Sequence, residues 1–174
     1  VRTAVEGGTC ANELVHTAGR RYAVARHSTK GGGLLEILRA SDLHRIHSRR
    51  MQSLYALAAH PTQPKIAIGD DDSRVTELSV PSGQTLRSLR VSIGLDDPLG
   101  VMQVRYSRTG RWLAAASGSR ITLFDGRSGR AQTLPEEDTI HRFALSPDGR
   151  FVATGGRSVS LWRLPSGMLI RSWR

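Results

Sequence analysis

The chain has 174 residues, 39% hydrophobic and 23% charged, with a formal net charge of +10. This length allows one domain with a real core, and the balance is ordinary for a soluble fold. No apolar run approaches the roughly 20 residues that cross a bilayer as a helix, and the opening "VRTAVEGGTC" lacks the apolar region of a signal peptide.

The 25 basic residues are nearly all arginine, Lys30 and Lys65 being the lysines. Arginine suits bidentate contacts with carboxylates and phosphates, but here it is scattered along the whole chain, whereas a nucleic-acid footprint is a clustered stripe. A lone Cys10 forbids an internal disulfide and points to a reducing compartment, the cytoplasm.

In chain order, four turn motifs lie in register: "HTAGRRYAVA" from His16, "HPTQPKIAIG" from His60, "SRTGRWLAAA" from Ser107 and "SPDGRFVATG" from Ser146. A second landmark keeps the same period: the large apolar residues Leu38, Leu78, Phe124 and Trp162. The spacing is about 40–45 residues, the range of a repeat array.

Each copy reads as four short strands. A first strand such as "VMQVRYS" (101–107) or "IHRFALS" (140–146) places Val104 and Tyr106, or Phe143 and Leu145, on one face. A turn follows, in which Gly110 or Gly149 takes positive φ. Next comes a small, apolar second strand, "IAIG", "LAAAS" or "VATGG", and a third strand with the large residue. After "PSGQ", "RSGR" or "PSGM" the last strand reads "LRSLR" (86–90) or "IRSWR" (170–174). No copy keeps apolar residues at i, i+3, i+4 and i+7 over a helical length. The expectation is an all-β chain of about four four-stranded propeller blades, at 9–50, 51–92, 100–136 and 139–174. Trp162 and Phe124 are expected to be buried.

"LSPDGRFVATGGRSVSLWRLPSGMLIRSW" (145–173) and "LAAHPTQPKIAIGDDDSRVTELSVPSGQTLRSL" (57–89) resemble the WD-repeat family. Its Trp-Asp pair survives only as Phe124-Asp125; Arg39, Ser79 and Arg163 stand at the aspartate position elsewhere. The Gly-His pair before the first strand is missing from all four copies. On this reading the family's Asp-His-Ser/Thr-Trp hydrogen-bond network is not assembled.

The resemblance implies rings of roughly seven blades, so four copies imply part of a larger ring. Three completions are open: a longer protein, two copies of this chain, or a second chain. The Val1 start and the ending on "IRSWR" favour a longer protein or a partner chain. The resemblance also implies protein partners and no chemistry.

Other motifs carry little. "GDDDSR" (69–74) lacks the alternating carboxylates of a calcium loop and reads as a hairpin turn. "STKGGGLL" (28–35) places its lysine before the glycines, unlike a phosphate loop. "LHRIHSRR" (43–50) reads as an outer strand whose charges block edge pairing, and His60, standing where Ser107 and Ser146 stand, has a turn role. No catalytic constellation, metal set or cofactor motif is found. The candidate partner contacts are Arg49 and Arg50 with the acidic connections, Asp96 and Asp97 in "RVSIGLDDPLG" and Glu136 and Glu137 in "PEEDT". The alternatives are a nucleic-acid-associated basic propeller and, further off, a propeller enzyme with a central-channel site. No membrane partner is expected.

Overall fold

The computed structural model describes residues 11–29, 32–93, 100–135 and 139–174. It contains sixteen strands in four antiparallel sheets and, among the described residues, no helix beyond a 3-10 turn at Ala18–Arg20. The first sheet is β1 (Ala11–His16), β2 (Tyr22–Thr29), β3 (Gly32–Arg39) and β4 (Arg45–Met51). The second is β5 (Ala56–Ala59), β6 (Lys65–Gly69), β7 (Arg74–Ser79) and β8 (Thr85–Arg90). β9 (Gln103–Tyr106), β10 (Trp112–Ser117), β11 (Arg120–Asp125) and β12 (Ala131–Pro135) form the third. The fourth is β13 (Arg142–Leu145), β14 (Phe151–Gly155), β15 (Val159–Arg163) and β16 (Met168–Trp173). Within each sheet the strands pair in sequence order, the meander of a propeller blade.

The register shows which residues are equivalent. Leu35, Val75, Ile121 and Val159 share one position of the third strand, and Leu38, Leu78, Phe124 and Trp162 another. Directly paired residues point to one side of a sheet. Each sheet therefore has a leading face, carrying Val75 and Leu89 in the second and Ile121 and Leu134 in the third, and a trailing face with the large residue.

Three apolar clusters fill the spaces between consecutive sheets. Val24, Leu35 and Ile37 of the first sheet meet Leu57, Ile66, Ile68 and Leu78 of the second. The leading face of the second, with Ala67 and Val75, meets Leu113, Ala115 and Phe124 of the third. Ile121, Leu123 and Leu134 of the third meet Phe143, Val152 and Trp162 of the fourth. The array is open, because neither the trailing face of the first sheet nor the leading face of the fourth meets another sheet among the described residues. This explains Leu38, which is only half-buried although it holds the register of the large residues.

The turns after first and third strands gather at one end of the array. Gly110, at φ 72, lies against the His60 ring so closely that a Cβ there would overlap it. The hairpins after second strands and the connections between sheets gather at the other end, where Gly69 packs on Val101 in the same manner.

Phe124 and Trp162 are buried as the repeat requires, and the Trp162 indole N–H donates to Thr154 Oγ1 at 3.3 Å. Trp162→Ala should lower unfolding stability by about 3–5 kcal/mol, the cost of emptying an aromatic core site. A change under roughly 0.5 kcal/mol in chemical denaturation would place the side chain outside the core.

Candidate interaction surfaces

Of the sequence candidates, the described pair Arg49 and Arg50 lie on opposite faces of the first sheet. Arg49 pairs with Leu35 on the leading face of the first sheet, and its guanidinium donates to Thr85 Oγ1 of the second sheet at 3.3 Å. It occupies the position of Leu89 and Leu134 and acts as a strap between sheets. Arg50, its neighbour, pairs with Leu34 on the trailing face and is exposed. Asp96, Asp97, Glu136 and Glu137 lie outside the described residues. The "GDDDSR" segment is a hairpin turn between β6 and β7, in which Asp70 Oδ1 accepts from the Arg74 backbone N–H at 2.8 Å.

The fourth sheet presents an uncovered apolar face. Val159 is 51% exposed, whereas its equivalents Val75 and Ile121 are 0% exposed. Trp173, opposite Val159, is 43% exposed, whereas Leu134 at the same position is 1%. Leu161 and Ala153 complete the face, and the Arg171 guanidinium lies 5.2 Å from the Trp173 ring. These side chains hold the positions that the second and third sheets bury against a following sheet.

Sequence reasoning missed two further interblade devices. The innermost strand of each sheet is an edge, with backbone N–H groups facing the neighbour. Glu13 on β1 accepts the Leu57 N–H at 3.1 Å, and Gln103 at the equivalent place on β9 accepts the Phe143 N–H at 3.1 Å. A polar residue one step before the apolar residue of the first strand was the available signal.

The second device is a buried charge cluster. Glu77 stands where Ile37, Leu123 and Leu161 stand in the other sheets, and it is 1% exposed. Its carboxylate accepts from Arg87 Nε, from the Tyr106 hydroxyl of the third sheet, and from Lys65 Nζ at 2.9 Å. Burial alone would raise its pKa, but the hydrogen bonds from Tyr106, Arg87 and Lys65 together hold it below the ordinary value. Burial, reinforced by the Glu77 charge, pushes the Tyr106 hydroxyl far up. Both groups stay in their ordinary charge states at neutral pH, with their hydrogen bonds spent on each other, so the cluster fastens two blades. Glu77→Leu restores the apolar residue of the other copies yet strands Lys65, Arg87 and the Tyr106 hydroxyl. It should cost about 3 kcal/mol, the low end for breaking a buried pair, because Lys65 and Arg87 are partly exposed; denaturation showing no loss would contradict this role.

Beside the cluster, the His60 ring packs edge-on to Tyr106 at 4.8 Å between centroids. Its Nδ1 accepts from the backbone N–H groups of Thr62 at 3.2 Å and Gln63 at 3.0 Å. Ser107 Oγ and Ser146 Oγ serve their own turns likewise, accepting from Trp112 at 3.0 Å and Phe151 at 2.9 Å. Burial first, then the Lys65 charge, lowers the His60 pKa below 6.5. With the folded value depressed, its contribution to stability is present above pH 6.5 and is lost as pH falls below it. Urea midpoints measured from pH 7.5 to 5.5 should fall with pH, and should fall less steeply in His60→Ser; equal slopes would overturn the assignment.

Of the Asp-His-Ser/Thr-Trp network, the fourth sheet carries one bond of the threonine–tryptophan kind, Trp162 to Thr154. The family model of the WD domain, G-beta repeat (WD40), matches residues 130–163, which run from the turn before β12 through the end of β15. No curated protein matches the chain. The WD40 match at residues 130–163 and the four antiparallel four-stranded sheets support a WD-repeat, propeller-like family for this chain.

Proposed function

We propose that the chain is a non-catalytic protein-interaction module within a multidomain protein or multi-subunit complex, and that the leading face of its fourth sheet takes a further four-stranded sheet. WD40 repeats generally mediate protein–protein interaction or scaffolding. The observation that carries the reading further is the contrast between Val159 and its buried equivalents Val75 and Ile121. A solvent-facing blade has no use for valine, leucine and tryptophan side by side, and contiguous apolar patches of this kind mark interaction sites. The matching trailing faces bring Leu57, Ile66 and Leu78, or Phe143, Val152 and Trp162, to such a surface, so the occupant is a sheet with large residues on its third strand.

The titratable groups that sequence and structure bring together support the non-catalytic part. Glu77, Tyr106, Lys65 and Arg87 are spent on one another across a blade interface, and Asp70 is spent on its own turn. Arg50 and the acidic connections holding Asp96, Asp97, Glu136 and Glu137 are proposed as rim contacts.

Light scattering on the isolated 174-residue chain tests the reading. Association is expected, reduced at least tenfold in apparent affinity by Val159→Glu, which places a charge on the face without disturbing the three filled interfaces. A monomer of 19.0 kDa with no tendency to associate up to high concentration would contradict it.

A further inference from the structure

A second surface, distant from the open blade face in composition and role, lies at the turn end of the first two sheets. A cleft of about 580 Å³ is lined by Arg20, Arg21, Tyr22, Arg39, Ile46 and Pro81, together with Ala40 and Ser41. Arg20 and Arg21 come from the turn after β1, Arg39 from the end of β3, and Pro81 from the second sheet's turn after β7. Its volume is within the range of ligand sites, and it combines three guanidinium groups with an apolar wall.

The spacing of these groups is fixed. The Ala40 N–H donates to the Arg21 carbonyl at 2.9 Å, tying the two turns together, and Leu43 N–H donates to the Arg39 carbonyl at 2.8 Å. Arg20 has φ 53 and Leu43 has φ 57, left-handed conformations that cost a side-chain-bearing residue energy. Such conformations persist where surrounding structure holds them, and they cluster at functional sites. At Arg20 a basic residue that lines the cleft holds this conformation where glycine would be the unstrained choice.

Three described carboxylates of this end serve their own turns: Asp42 accepts the His44 N–H at 3.0 Å, Asp125 the Arg127 N–H at 2.7 Å, and Asp148 the Arg150 N–H at 3.0 Å. Asp42 also holds Arg39 at 2.8 Å, which orients one of its guanidinium nitrogens and leaves the other donors of the fork for a ligand. Arg20 and Arg21 are exposed and have no ion pair among the described residues.

We infer that this cleft docks an acidic peptide segment of a partner protein, its carboxylates on Arg20, Arg21 and Arg39 and one apolar side chain against Tyr22, Ile46 and Pro81. Arginine's planar fork matches carboxylate geometry in bidentate pairs. A small-molecule anion would need a site that encloses it with buried polar groups, and the three arginines here are exposed. A nucleic-acid strand would need a basic track with stacking aromatics, and the cleft offers the single ring of Tyr22.

The test is fluorescence anisotropy on the full chain with a labelled peptide Asp-Glu-Glu-Leu-Glu-Asp as probe. Arg20→Gly with Arg21→Ala should weaken binding at least tenfold; glycine keeps the φ of residue 20 without strain, so the turn is retained. Arg127→Ala with Arg130→Ala, exposed in the turn after β11, should change affinity less than twofold. Replacing the probe's leucine by serine, or Ile46→Ser, should each cost about threefold or more. Equal loss with both arginine pairs, or indifference to the leucine, would reduce the effect to bulk charge and overturn the proposal. Stronger binding of inorganic phosphate or of a short duplex to the same arginines would overturn it in favour of those ligands.

Discussion

The structure depends on one constraint: each four-stranded sheet has two apolar faces and buries neither of them alone. Among the described residues the large apolar side chains are buried between sheets, in three clusters that each draw on two neighbours. The side chains are graded to suit this. Alanine dominates the inner strands at Ala56, Ala58, Ala67, Ala114 and Ala115, while Leu78, Phe124, Leu134 and Trp162 fill the outer part. This grading from small inner to large outer side chains suits the wedge shape of a propeller blade. A repeat array built in this way derives its stability from intrinsic sheet terms and nearest-neighbour interfaces.

Polar groups set the register within these interfaces. Glu13 and Gln103 satisfy backbone N–H groups on the edge strand of the next sheet, which an apolar wedge alone would leave unpaired. Glu77 replaces an apolar residue of the repeat with a carboxylate, and the third sheet answers with the Tyr106 hydroxyl. A buried ionic cluster of this kind adds little to stability compared with an apolar filling, yet removal of one member is costly.

Much of this was legible in the sequence, because a blade repeats its grammar. The turn glycines, the alanine-rich second strands and the large residue of the third strand all recur, and the structure places Phe124 and Trp162 in the core accordingly. Leu38 shows the limit. Its register is right, but its burial depends on a neighbouring sheet, which local pattern does not encode. Arg49 shows another: read as an edge-blocking charge and a partner contact, it reaches across to Thr85 of the next sheet. Glu77 was invisible for the same reason. Its partners come from three strands, two of its own sheet and one of the third, and no single stretch of sequence brings them together. The cleft at Arg20, Arg21 and Arg39 joins two turns that the sequence separates by a whole hairpin.

Native-state hydrogen exchange tests the central claim, that stability here passes from blade to blade along an open array. Amide protection reports local opening free energies residue by residue. Amides of β6, β7, β10 and β11, in sheets buried on both faces, should be the last to exchange, at the free energy of global unfolding. Those of β15 and β16, beside the uncovered face, should open at distinctly lower free energy, by a factor of at least ten in protection. Equal protection across all four sheets would mean that the terminal blades are as well supported as the central ones, and would contradict the open array.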